Sequence, residues 1–236
     1  MANKPTSAMQ RVFILCLVFL FLVACSSPVF THILFIGNSF TFFNGGVDKQ
    51  LKGLAPDSSS SVIAVGGYTL RDHLNAGEAL RRIQPGGWDY VVLQEQSQTP
   101  VLDSQNFFNA VRDFDVAIRA TGAHTILLMT WAYPDSLRNG VTTENLAAAY
   151  LGVGSELGIL VAPAGLAFAR SLQEKPGLIL FSQDGHPTLY GTYLAACVLY
   201  GTIFGKTPAG NPYSDRAISP EIWDFLQRIA AQSLGY

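Results

Sequence analysis

The run HILFIGNSFTFF, His32 to Phe43, sets the terms for the whole chain. Its first half is apolar without interruption, the pattern of a strand buried on both faces rather than one with a wet side. It halts at Gly37-Asn38-Ser39, ordinary turn chemistry, and resumes with Phe40, Phe42 and Phe43. A strand that delivers a small polar residue into an aromatic cluster can be a rigid arm holding Ser39 at its carboxyl end, where parallel sheets place their sites. The plainer alternative is a strand followed by a turn.

Similar runs recur downstream: SVIAV, YVVLQ, TILLMT and GILVAP. All are continuous rather than alternating, which points to a parallel sheet covered on both faces. Between YVVLQ and TILLMT, Phe107, Val111, Phe114 and Ile118 recur at helical spacing behind a Ser104 cap, and Gly122 closes that helix. The last helix opens at Ser219-Pro220-Glu221 and turns Ile222, Leu226 and Ile229 inward. Strands alternating with helices of this size predict a three-layer α/β/α sandwich with right-handed crossovers. Ser58–Ser61 reads as a loop, and there is no internal repeat.

Of 236 residues, 1–25 read as an export signal: Lys4 and Arg11, then VFILCLVFLFLVA, then Cys25. The apolar run is short for a membrane-spanning helix. Leu22-Val23-Ala24-Cys25 resembles a bacterial lipobox, which implies cleavage before Cys25 and a lipid on its sulfur. The expected organisation is a signal peptide over 1–24, a short lipidated linker over 25–31, and a single domain over 32–236. That domain is long enough for a proper core. The expected location is exported and membrane-anchored through Cys25, in the outer membrane or facing the periplasm.

The 15 basic residues are outnumbered by 17 acidic ones and form no basic stripe, which argues against a nucleic-acid partner. Cys16 lies in the signal, leaving Cys197 in an apolar context suited to packing. His32, His73, His124 and His186 show no metal-ligand spacing, so neither metal nor cofactor is expected. His73 and His124 read as structural.

The second informative stretch is SQDGHPTLYGTYLAA, residues 182–196. Asp184 and His186 stand just before an apolar helix. A serine hydroxyl is a weak nucleophile that needs a base to take its proton and an acid group to orient that base. A late histidine with a neighbouring carboxylate supplies both.

Taken together, FIGNSFT and DGHPTLYGTYLAA resemble the first and last blocks of the SGNH hydrolases, also called GDSL-like esterases, here in a bacterial lipoprotein form. The resemblance runs in correct order over nearly all of the chain after Cys25. It implies a five-stranded parallel sheet in the flavodoxin-like order 2-1-3-4-5, with Ser39 as nucleophile, His186 as base and Asp184 as orienter. The second block's glycine matches Gly67 in VGGYTL. The third block departs from the family: VVLQEQSQTP puts Gln96 where an asparagine would stand and Gln94 where a glycine would. The implied oxyanion hole is the backbone N–H of Ser39, the N–H of Gly67 and an amide from Gln96, with Gln94 as competitor. The last block departs as well. One residue instead of two separates Asp184 from His186, leaving open a Ser–His dyad assisted by Gln183 or a backbone carbonyl. Thr41 stands where a G-x-S-x-G elbow would need glycine.

Trp131 and Tyr133 in TWAYP are candidates to line a substrate cleft, since aromatic rings stack on sugars. The expected activity is hydrolysis of carboxylic esters, including short acyl groups on carbohydrate. An acyltransferase using the same serine, or a non-catalytic carbohydrate-binding lipoprotein on the same scaffold, are the alternatives.

Overall fold

The computed structural model describes residues 30–213 and 215–236. The signal segment, Cys25 and most of the linker lie outside the described residues.

In chain order the elements are β1 (Thr31–Gly37), α1 (Ser39–Phe42), α2 (Val47–Leu54), β2 (Ser58–Ala64), α3 (Leu70–Ala76), α4 (Glu78–Ile83), β3 (Tyr90–Leu93), α5 (Thr99–Leu102), α6 (Ser104–Arg119), β4 (His124–Leu128), α7 (Pro134–Arg138), α8 (Thr143–Leu157), β5 (Leu160–Ala162), α9 (Ala164–Glu174), α10 (Leu189–Phe204) and α11 (Pro220–Ser233). The five strands form one parallel sheet in the order 2-1-3-4-5, as expected. β1 lies inside the sheet, with Gly37 opposite Ala64 of β2 and Ile36 opposite Leu93 of β3. The chain leaves β1 toward one side and then returns to the other, so the crevice beyond β1 is the topological switch point.

Alternation along β1 splits the core in two. Ile33 and Phe35 face α2, α9, α10 and α11; Leu34 and Ile36 face α3, α4, α6 and α8. All four are essentially inaccessible to solvent, which is why the stretch 33–36 carries no polar residue. Helix α10 is apolar on nearly every side, and Tyr193–Leu199 is buried throughout. It packs against α2, α9 and α11, and a helix hydrophobic all round must be enclosed in this way.

Two local expectations need correction. Ser58–Ser61 is the first half of β2, not a loop. β2 is an edge strand, and its serines trade apolar burial for hydrogen bonds: Ser58 Oγ donates to the Ala55 carbonyl, Ser60 Oγ donates to Asp48, and Ser59 Oγ pairs with His32 Nδ1. Edge strands tolerate such polarity because one side faces water. The cap of α6 is Asp103, whose carboxylate accepts from the Asn106 N–H, so the helix begins with Ser104.

Candidate active site

Ser39 is the first residue of α1, one turn of helix directly after β1. Buried Asn38 caps it: Oδ1 accepts from the Phe40 N–H at 3.1 Å, and Nδ2 donates to the Tyr68 carbonyl at 3.0 Å. The Asn38 N–H is held in turn by Gln94 Oε1 at 3.0 Å, which also accepts from Thr41 Oγ1 at 2.8 Å. Buried His73 reaches the Gly37 carbonyl through Nε2 at 2.7 Å, and burial lowers its pKa, favouring the neutral ring. The serine is thus fixed by the sheet edge and four side chains around it.

Ser39 Oγ lies 2.9 Å from His186 Nε2, and His186 Nδ1 lies 2.8 Å from Asp184 Oδ2. With Nδ1–H donating to the carboxylate, Nε2 presents its lone pair to the serine hydroxyl. The short aspartate–histidine spacing is accommodated by Gly185, whose φ of +87° folds the carboxylate back over the imidazole. A side chain there would also run into the Tyr133 ring, with a Cβ 2.5 Å from its nearest atom. Ser182 Oγ donates to Asp184 Oδ1. That bond and then the imidazole hold the Asp184 carboxyl down at about 2. Gln183 instead donates to Asp135 at 3.2 Å, so it does not hold the ring.

The aromatic cluster around Ser39 is explained by the histidine. Phe43 stacks on the His186 ring with centroids 4.2 Å apart, and Phe40 meets it edge-on at 5.5 Å. Asn44, in the left-handed region at φ +51°, donates through Nδ2 to the Pro187 carbonyl at 2.6 Å and ties the two loops together. Trp131 does not reach the cleft. Its ring is sandwiched between Phe40 and Phe168, and its Nε1–H donates to the Gly185 carbonyl at 3.0 Å. It was expected to line the cleft, but its apolar ring is worth more in the core, and it supports the histidine loop from beneath. Tyr133 does line the cleft; its hydroxyl meets Ser97 Oγ and Gln98 Nε2, each at 3.0 Å.

The cleft has a volume of about 460 Å³ and includes Asn38, Ser39, Gly66, Gly67, Gln96 and His186 in its lining. Among the described residues, the N–H groups of Ser39 and Gly67 have no intramolecular acceptor. The two glutamines are separated by geometry. Gln94 is buried with both amide ends occupied, its Nε2 donating to the Glu95 carbonyl. Gln96 Oε1 accepts from the N–H groups of Gln98 and Thr99 and from Thr99 Oγ1, at 2.8 to 3.1 Å. Three donors on one oxygen orient the amide, leaving Nε2, on a residue that lines the cleft, without a partner among the described residues.

Two contributors escape sequence reasoning. Ser182 sits two positions before the aspartate and looks like any loop serine. Glu95 is buried, and burial pushes its carboxyl up to about 7 against the N–H bonds it receives from Gln96 and Leu70. An acid directly after an apolar strand, inside QEQ, is the one signal that could have singled it out.

No protein-family model matches the chain, and no curated protein matches it. Solved structures do. A protein of Slackia heliotrinireducens assigned to the SGNH hydrolases superposes with a TM-score of 0.65 at 29% identity, over 73% of this chain and 98% of that one. A DUF4886 family protein from Bacteroides uniformis gives a TM-score of 0.73 at 18% identity, over 87% and 95%. A catalytic mutant of an acetylxylan esterase from Geobacillus stearothermophilus gives 0.53 at 16%, over 74% and 93%. The last two share the fold.

Proposed function

We propose that this chain, whose fold is that of the SGNH hydrolase superfamily, is a serine-dependent hydrolase of carboxylic esters. The observation that carries this reading is the aligned Ser39–His186–Asp184 chain, with contacts of 2.9 and 2.8 Å opening into one cleft. His186 Nε2 takes the hydroxyl proton as Ser39 Oγ attacks the ester carbonyl. Asp184 holds the ring and stabilises the imidazolium. The oxyanion is met by the N–H groups of Ser39 and Gly67 and by Gln96 Nε2. The tetrahedral adduct collapses as the C–O bond breaks, and the alcohol leaves with the proton from His186. Water, deprotonated by the same nitrogen, then releases the acid and restores Ser39.

Short acyl groups on a polar alcohol such as a sugar suit the site. The cleft lining combines Gly66, Gly67, Asn38 and Gln96 with the rings of Phe40 and Tyr133, and an acetylxylan esterase is among the structures that share the fold. The test is fluorophosphonate labelling together with hydrolysis of p-nitrophenyl acetate. Wild type should label once and turn over, and Ser39→Ala should do neither while unfolding at a similar temperature. Acid as sole product, with or without a sugar acceptor, separates hydrolase from acyltransferase.

Export and lipidation at Cys25, with 1–24 removed, belong to the same proposal. They rest on the lipobox-like segment. Mass spectrometry of the membrane fraction should find a lipidated Cys25 at the amino terminus; an unmodified Cys25 would refute this part alone.

A further inference from the structure

The carboxylate of Glu95 lies behind the cleft, and no step of the proposed reaction uses it. A single oxygen, Oε1, accepts the Leu70 N–H at 3.1 Å and the Gln96 N–H at 2.7 Å. These amides belong to different arms. Leu70 opens α3, immediately after the Val65–Thr69 loop that carries Gly67. Gln96 follows β3 and carries the orphan amide. Among the described residues, no hydrogen bond joins the Gly66–Gly67 turn to the Gln96 side chain directly.

We propose that Glu95 is a positioning residue that clamps the Gly67 arm and the Gln96 arm to one another, setting the spacing of two oxyanion donors. The inference rests on the reading of Gly67 and Gln96 as those donors.

The physical grounds are burial and geometry. Glu95 is 1% exposed, so water does not compete for its oxygens. Burying a carboxyl is unfavourable, and an apolar residue would fill the space without that cost. Asp72 from α3 and Asp103 at the start of α6 add like charge, and Tyr150 from α8 faces the same group. What the carboxyl supplies in return is one acceptor shared by two backbone donors from separate segments. Oxyanion donors act through distances set before the reaction, so loosening their spacing lowers transition-state stabilisation while leaving ground-state binding largely intact.

The experiment compares wild type with Glu95→Leu, which removes the acceptor, and Glu95→Gln, which keeps an acceptor oxygen. Turnover of p-nitrophenyl acetate is divided by the number of serines that react with fluorophosphonate, so misfolded protein is not counted. Amide hydrogen exchange is followed at Leu70 and Gln96. Glu95→Leu should lower kcat per reactive serine by about 10- to 100-fold with KM within about twofold, and Glu95→Gln by no more than about fivefold. Both amides should lose protection together in Glu95→Leu. Unchanged kcat per reactive serine, or loss of protection at only one amide, overturns the clamp. If Glu95→Leu does not fold, Glu95→Ala, which also removes the acceptor, decides: a lower kcat at constant KM with faster exchange at both amides supports it, and wild-type values for both overturn it. Should wild type neither label nor turn over, the esterase reading falls. Exchange at the two amides still decides whether Glu95 joins the loops.

Discussion

Ser39 and His186 sit 2.9 Å apart but are placed by different means. Ser39 follows directly on a strand that is hydrogen-bonded on both sides, and its turn is held by buried Asn38, Gln94 and His73. His186 belongs to a loop outside the sheet, which closes on itself through the Phe181–Pro187 bridge and leaves the Asp184 side chain 62% exposed. Its position comes from side chains reaching in: the Trp131 indole, the Phe43 ring and the Asn44 amide. A nucleophile placed by the backbone is hard to move without unfolding the domain. A base placed by side chains can be detuned one contact at a time.

That contrast can be broken most forcefully at Asp184. Asp184→Asn should lower kcat/KM for p-nitrophenyl acetate by about 10⁴-fold, as in other triads, with an almost unchanged unfolding temperature because the side chain is largely in water. A loss of only a few-fold would mean that the carboxylate does not orient the ring. The glutamines sharpen the comparison next. Gln96→Ala should lower the rate by about 10²- to 10³-fold, the usual worth of one oxyanion donor, with a stability cost of about 1 kcal/mol because the part-buried Gln98 and Thr99 donors lose Oε1 but remain within reach of water. Gln94→Ala should do the reverse, costing about 1–3 kcal/mol in denaturant unfolding because it strands the Asn38 N–H and the Thr41 hydroxyl.

The buried side also has a pH signature. Glu95 titrates near 7 in the folded protein against an ordinary value of 4.5. Between these values the native state holds a proton that the unfolded chain has released. Stability from this group is therefore greatest below 4.5 and is lost as pH rises toward 7, by up to about 3 kcal/mol. Denaturant titrations at pH 5 and pH 8 should show the decline, and Glu95→Gln should flatten it. The smallest effect belongs to Trp131→Phe, which keeps the stacked ring and deletes the bond to the Gly185 carbonyl. About 1 kcal/mol of stability and a few-fold of rate should go with it; a rate unchanged within error would show that the indole bond does not set the loop.

The sheet was legible because its interior strands are largely apolar on both faces, a pattern that depends on burial. Block order made Ser39, Asp184 and His186 legible as a group, although each alone passes for a turn residue. What could not be read depends on direction. Trp131 and Tyr133 are two residues apart on one segment, yet one ring enters the core and the other walls the cleft. Gln94 and Gln96 have the same side chain, and only their hydrogen-bond partners separate the structural amide from the available one. Ser58–Ser61 carried loop composition, and its strand character comes from pairing with β1.

β1 runs seven residues from Thr31 to Gly37, so whatever precedes Phe30 joins the domain at the amino edge of the sheet, while Ser39 opens at the opposite edge. At about 3.3 Å per residue, the two points are separated by roughly 20 Å. A domain tethered through that end would stand with its cleft turned outward. Tension on the tether would pull along the strand axis, loading the ladders to β2 and β3 in shear, so that many bonds resist at once instead of peeling one by one. Such an attachment point would be mechanically strong, and drag from a bulky polymer in the cleft would be carried by the centre of the sheet, not by the histidine loop.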